Sequence, residues 1–234
     1  MSLIQSPNAL ALCSGGKDSI LALHKAWALG VKIIGIVTMI PEDHESMLYH
    51  THNVKHVKKI AESIGIAWYG VEAKKGEEEK ALERALKKLK ADLLISGGIA
   101  SNYQKHRFDK IAESANMKHL APLWNMKPND VLKEIILMKM DVMIVAVAAY
   151  GLDESWLGRH LTKQSVNELL RLSEKYNFNP IGEGGDYDSF VLDAPLYNKR
   201  LLPLKVIKRW DKDSGAIEIQ DLMTVNKKWR KDAR

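Results

Sequence analysis

Through the first two-thirds of the chain, short apolar runs alternate with longer stretches whose apolar residues recur at helical spacing. "NALALC", "VKIIGIVTM", "IAWYGVE" and "ADLLIS" read as strands, the second of them rich in β-branched residues. Between them Asp18 to Leu29 reads as a helix ended by Gly30, "HNVKHVKKIAESIG" as a second and "GEEEKALERALKKLK" as a third. The third begins with glutamates and ends with lysines, as the helix dipole favours. "YQKHRFDKIAESANM", "NDVLKEIILMKM" and the strand "VMIVAVAAY" continue the alternation. Strands joined by crossover helices predict an α/β fold, a parallel sheet with helices on both faces.

After Gly151 the rhythm changes. One helix, "TKQSVNELLRLSEKYN", leads into "IGEGGDYDSF" and then into the strand-like "FVLDA", "LKVIKRW" and "GAIEIQ". These predict a smaller α+β C-terminal domain. The expected division is 1–125 and 126–234, with the boundary between 120 and 150.

Composition excludes several classes. At 234 residues, 46% hydrophobic and 27% charged, the chain has a globular balance. No apolar stretch is long enough to cross a bilayer without a charge, and "MSLIQSPNAL" lacks the order of a signal peptide. The expectation is a cytoplasmic protein without membrane contact. A single cysteine leaves no internal disulfide and no CxxC zinc site. The net charge of +6 permits a nucleic acid or an acidic protein as partner. No basic pattern interleaved with aromatics runs through a strand pair, which disfavours nucleic acid. Homo-oligomerisation stays open.

Between the first strand and the first helix stands "SGGKDS", residues 14–19, where an open α/β sheet collects ligands. Gly15 and Gly16 let phosphate oxygens approach the main chain, and successive amides before a helix form an anion cradle. Ser14 and Ser19 add hydroxyls, Lys17 a cation, and Asp18 either a cap or a carboxylate near a phosphate-bound metal ion. The spacing matches neither GxxxxGK[ST] nor GxGxxG.

"SGGKDS" resembles the PP-loop of the N-type ATP pyrophosphatases, the adenine nucleotide α-hydrolase superfamily. Three further stretches narrow the likeness: "ISGGIASNYQKHRFDKIAE", "AAYGLDESWLGRHL" and "GEGGDYDSFVLDAPL". With the loop they resemble the diphthine–ammonia ligase family, from about Leu10 to Leu196. That family commonly carries glutamate where Asp186 and Asp188 stand and threonine where Ser189 stands, so each acid here is one methylene shorter. Longer eukaryotic relatives carry additional C-terminal domains, and none is expected here.

The resemblance implies a HUP-like fold, ATP and Mg²⁺ as cofactors, and a two-step reaction. The carboxylate of diphthine on translation elongation factor 2 attacks the α-phosphorus of ATP, and ammonium supplies the nitrogen that displaces AMP. Lys17, Asp18, Glu183 and Asp186 are the expected catalytic residues. Ser14, Gly15, Gly16, Lys17, Asp18, Ser19, Val37, Thr38, Met39, Gly97 and Gly98 would bind the nucleotide. Ser46, Tyr49, His50, Gln104, Arg107, Arg159, Gly184, Gly185, Tyr187 and Asp188 would meet the acceptor. Diphthine bears a quaternary ammonium and a carboxylate, and Glu183, Asp186, Tyr187 and Asp188 offer acids and an aromatic face in one segment.

Plainer readings stand beside these. His44, His50, His52 and His56 cluster without a companion CxxC, so no metal site is assigned to them. Cys13 reads as packing beneath the loop, and Arg159 divides evenly between ligand and surface roles. A tRNA-modifying PP-loop enzyme lacks its cysteine pairs here, and a non-catalytic ATP sensor has little use for the acidic glycine-rich segment.

Overall fold

The protein is described here from a computed structural model covering residues 6–41 and 53–227. Strands β1 (Asn8–Leu12), β2 (Lys32–Pro41), β3 (Ala67–Ala73), β4 (Leu93–Ile95) and β5 (Lys118–Leu120) pair in parallel, in the order β3-β2-β1-β4-β5. Helices α1 (Lys17–Ala28), α2 (Val57–Ile64), α3 (Glu78–Leu89) and α4 (Asn102–Ser114) make the crossovers, α2 following a 3-10 turn at Val54–His56. Strand alternation sorts the core: Ala9 and Ala11 join the cluster that holds α1 and α2, and Leu10 joins the cluster that holds α3 and α4. β5 was not anticipated, because three residues reading Lys-His-Leu carry no apolar run.

Beyond α5 (Pro128–Leu137), which opens on a proline at its first turn, the chain builds a second sheet. Strands β6 (Asp141–Val147), β7 (Tyr187–Asp193), β8 (Lys199–Asp211) and β9 (Ser214–Asn226) are antiparallel, in the order β7-β6-β9-β8. The run "VMIVAVAAY", read as a continuation of the first alternation, is therefore β6 of this sheet. Its almost fully buried residues explain why period alone could not assign it. Helix α6 (Lys163–Tyr176) starts at a reciprocal cap between Thr162 and Ser165.

The two sheets share one core. Ile20, Leu21 and Leu23 of α1 belong to the same cluster as Val142 and Ile144 of β6 and Phe190 and Val191 of β7. Polar contacts repeat the link. His24 Nδ1 donates to Ile20 O at 2.7 Å, while its Nε2 accepts from Leu196 N at 3.1 Å. Asn53 holds β9 at both groups of one backbone register, donating to Ile217 O at 3.0 Å and accepting from Ile219 N at 2.9 Å. Among the described residues no helix is long and apolar enough to cross a membrane.

Candidate active site

The neighbours of β1, β2 and β4, lead the chain in opposite directions, so the carboxyl ends of β1 and β4 frame a crevice. A cleft of about 800 Å³ opens there. Its first wall is the glycine loop. The chain turns at Gly15, φ +84°, where an added Cβ would lie 2.7 Å from the Phe190 ring. Backbone angle and neighbour both demand glycine. Gly15 O accepts from Val191 N at 2.9 Å, and Lys17 N donates to Ser189 Oγ at 3.1 Å. The loop is thus moulded on β7, an element of the other sheet. Gly16 precedes α1 without a side-chain cap, leaving the positive end of the helix dipole at the cleft as a seat for anions.

Lys17 is buried. Its Nζ donates to Asp18 Oδ2 at 2.8 Å and to Ile181 O at 2.5 Å, and lies 4.9 Å from the centre of the Tyr187 ring. Burial is the largest single influence and opposes its charge, but Asp18, Tyr187 and Asp188 together outweigh it and hold the ammonium above the usual lysine range. Burial pushes the Tyr187 phenol up to about 12, against the pull of Lys17, and its hydroxyl donates to Pro180 O at 3.0 Å. Asp18 Oδ1 is buried without a hydrogen-bond partner among the described residues. A carboxylate oxygen left open beside a phosphate seat suits a hard cation shared with phosphate oxygens.

The opposite wall leaves β4 as Ser96, Gly97, Gly98 and Ile99. A Cβ on Gly97 would come within 2.7 Å of Ser19 N and 2.8 Å of the Asp18 carbonyl carbon, so glycine lets this segment rest on the first turn of α1. Ser101 caps α4, accepting from Gln104 N at 3.3 Å. A third element, the turn Gly182–Gly185, closes the side: Glu183 Oε1 accepts from Ala100 N at 3.3 Å across the cleft. A smaller cavity of about 210 Å³ shares Ser14, Asp18, Val54 and Gly182 with the large one. Lys17, Asn53, Tyr187, Asp188 and Phe190 also line it.

Most expected site residues converge. Ser14, Asp18, Ser19, Val37, Met39, Gly97, Gly98, Gln104, Glu183 and Gly184 line the large cleft, and Gly16, Lys17, Tyr187 and Asp188 the small one. Others do not reach either cavity. Thr38 lies between Val37 and Met39 in the strand alternation, and its Oγ1 instead accepts from Trp68 Nε1 at 3.1 Å. Asp186 Oδ2 accepts from Asn179 N at 2.9 Å and its carbonyl from Ala148 and Ala149, which pins the turn leading to β7. Gly185, φ +93°, donates to Gly182 O in that turn. Arg107 pairs with Glu79 and covers the Tyr103 ring. Arg159 pairs with Glu168 at 2.5 Å and stacks 4.0 Å from the centre of the Trp156 ring. Ser46, Tyr49 and His50 lie outside the described residues.

Residues that the sequence reading passed over also contribute. Ser189 holds the Lys17 amide; Leu12, Leu82 and Phe108 supply apolar wall; Ser96 closes β4. Alternation along β1 and β4 held the signal for Leu12 and Ser96, whereas Leu82 and Phe108 come from helices whose rotation no local pattern sets. Cys13 is buried, accepts from Gly15 N at 3.3 Å, and has its thiol pushed up by burial, the state of a packing residue. Among the described residues no three His, Cys, Asp or Glu side chains converge as metal ligands.

Comparison with known proteins agrees with this architecture. Residues 8–119 match the family model of the diphthamide synthase N-terminal domain, and residues 127–225 that of the C-terminal domain. Proteins named diphthine–ammonia ligase from Homo sapiens and Rattus norvegicus are each 31% identical over 217 residues, covering 82% of this chain and 81% of theirs. One of the same name from Schizosaccharomyces pombe is 27% identical over 215 residues, which is 82% of this chain and 35% of that longer protein.

Proposed function

The chain belongs to the diphthamide synthase family, and from that premise we propose that the cleft activates a carboxylate with ATP while the small cavity presents the acceptor. The protein is an ATP-dependent ligase that turns the carboxylate of diphthine into an amide with ammonia. One observation carries the assignment of parts: the glycine loop borders both cavities, with Asp18 at their junction.

The nucleoside would lie against Val37, Met39, Leu82 and Phe108, with its phosphates toward Ser14, Ser19 and the start of α1. Magnesium, when bound, would offset phosphate charge there, and Asp18 Oδ1 is the open carboxylate oxygen that would hold it together with the phosphates. The acceptor would enter beside Tyr187 and Asp188, which suit the cationic end of diphthine, while Lys17 faces its carboxylate. Attack of that carboxylate on the α-phosphorus releases pyrophosphate and leaves an acyl-adenylate. Ammonia then adds to the acyl carbon and AMP departs. Glu183, bridging to Ala100, keeps the glycine turn closed over the reacting groups.

The acceptor is expected to be a folded protein, elongation factor 2, and the reaction cytoplasmic. The exposed lysines and arginines of β8, Lys199, Arg200, Lys205, Lys208 and Arg209, offer a basic surface for its approach. The test is AMP release from ATP, Mg²⁺ and ammonium, with and without elongation factor 2 carrying diphthine. AMP that depends on the factor, with a mass decrease of roughly one dalton on it, is the expected result for an acyl-transfer route. AMP without a mass change, or none from a sample that binds ATP, would reject this acceptor.

A further inference from the structure

A chain of polar contacts runs into the large cleft without a part in the reaction just described. Ser96 lines the cleft and is 3% exposed. Its Oγ lies 2.8 Å from His119 Nε2. His119 Nδ1 lies 2.7 Å from Asp109 Oδ1, and Asp109 Oδ2 accepts from Lys105 Nζ at 2.8 Å. The His119 side chain is 2% exposed, and the Phe108 ring meets its edge at 5.9 Å between centres.

The direction of each bond follows from the groups. Asp109, held below the usual carboxylate range first by its bond to Lys105, is an acceptor, so His119 carries its proton on Nδ1. Burial pushes the His119 pKa down, against the opposing pull of Asp109, and the ring is neutral. Nε2 is then a lone pair, and the Ser96 hydroxyl donates its only proton to it. A hydroxyl can ordinarily turn either way. This one is fixed with its proton inward and oxygen lone pairs left for the cleft.

Its neighbours indicate what it faces. Leu94, two residues earlier on the same face of β4, packs in the core of α3 and α4. The cleft there is walled by Val37, Met39, Leu82 and Phe108, apolar surface suited to a base or a sugar. We propose that Ser96, oriented by His119 and Asp109, accepts a hydrogen bond from the nucleoside half of ATP and selects nucleotides that carry a donor at that point. The donors available on adenosine are the exocyclic amine and the two ribose hydroxyls. The proposal rests on the nucleotide reading above and deepens it. Ser96 contacts ligand; His119 and Asp109 are positioning residues. A nucleotide lacking the donor leaves the Ser96 oxygen unpaired in a closed site, an effect of about 10- to 100-fold in affinity.

The test measures binding of ATP, 2′-deoxy-ATP, 3′-deoxy-ATP and purine riboside triphosphate by calorimetry, on the full chain. One analogue is expected to bind at least about tenfold more weakly than ATP, and its identity names the donor. Ser96→Ala should bind ATP and that analogue alike, with the loss in KM for ATP and kcat at saturation retained. Ser96→Thr, which keeps the hydroxyl, should restore the preference. Equal affinity of the unaltered protein for all four nucleotides overturns the proposal, as does a preference that survives Ser96→Ala. Should that variant not fold, His119→Phe fills the ring volume and removes the acceptor, and a preference intact in it has the same meaning. A protein that binds none of the four, ATP included, would overturn the nucleotide reading itself.

Discussion

The two walls of the cleft are held in different ways. The glycine loop after β1 is fixed on a strand of the other sheet: Gly15 O accepts from Val191 N, Lys17 N donates to the Ser189 hydroxyl, and Gly15 presses on the Phe190 ring. The segment after β4 is fixed by neighbours on its own side of the cleft, Ser96 N donating to Leu120 O at 3.1 Å, Asn125 N to Ile99 O at 2.8 Å and Ser96 Oγ to His119, and across the cleft by Glu183 at Ala100. Anchorage between the sheets makes the phosphate wall part of their shared core, so damage there is damage to the fold. At the other wall the contact from the glycine turn is made by a partly exposed side chain, Glu183, so its loss is felt by the ligand more than by the fold.

The sharpest way to break this contrast is Gly15→Ala. Its φ of +84° and the 2.7 Å approach to Phe190 together predict a loss of about 3 kcal/mol in urea unfolding, with ATP binding lost as well. Retained stability would mean that β7 can yield. Glu183→Ala, which removes the acceptor for Ala100 N, is the matching change on the other wall: AMP formation should fall at least about tenfold, while stability moves by less than about 0.5 kcal/mol. A stability loss as large as that of Gly15→Ala would erase the distinction. Acid supplies a graded version. His24, His56 and His119 all have pKa values lowered, first by burial, so the unfolded chain binds more protons than the folded one once pH falls below about 6.5. Stability contributed by these groups is present above that pH and lost below it. His160, raised by its bond to Asp141, works in the opposite direction. The urea midpoint should fall from pH 7 to 5, and less steeply in His119→Gln. Smallest of all, Arg107→Ala and Arg159→Ala should leave AMP formation within about twofold, since both guanidinium groups are engaged outside the cavities.

Local chemistry makes much of this legible in the sequence. "SGGKDS" announces a strand-to-helix anion site because glycine pairs, a lysine and a helix start have few other uses together. The parallel alternation was equally open, through β-branched β2 and the dipole-matched α3. What stayed hidden depended on distance in the chain. β6 has the composition of a buried strand in either sheet, and its antiparallel partners lie tens of residues downstream. Asp186 and Glu183 look alike in sequence, yet positive φ at Gly182, Gly184 and Gly185 sends one carboxylate to Asn179 N and the other to Ala100 N. Arg159 could not be assigned beforehand because Glu168, nine positions away, is its partner only once α6 has formed.

The contact between Lys17 and Ser189 joins positions 172 apart in the chain. During synthesis the glycine loop leaves the ribosome well before the strand that moulds it. A nascent chain that stalls before β7 therefore carries the loop sequence without its shape. Nucleotide binding that needs that shape awaits β7.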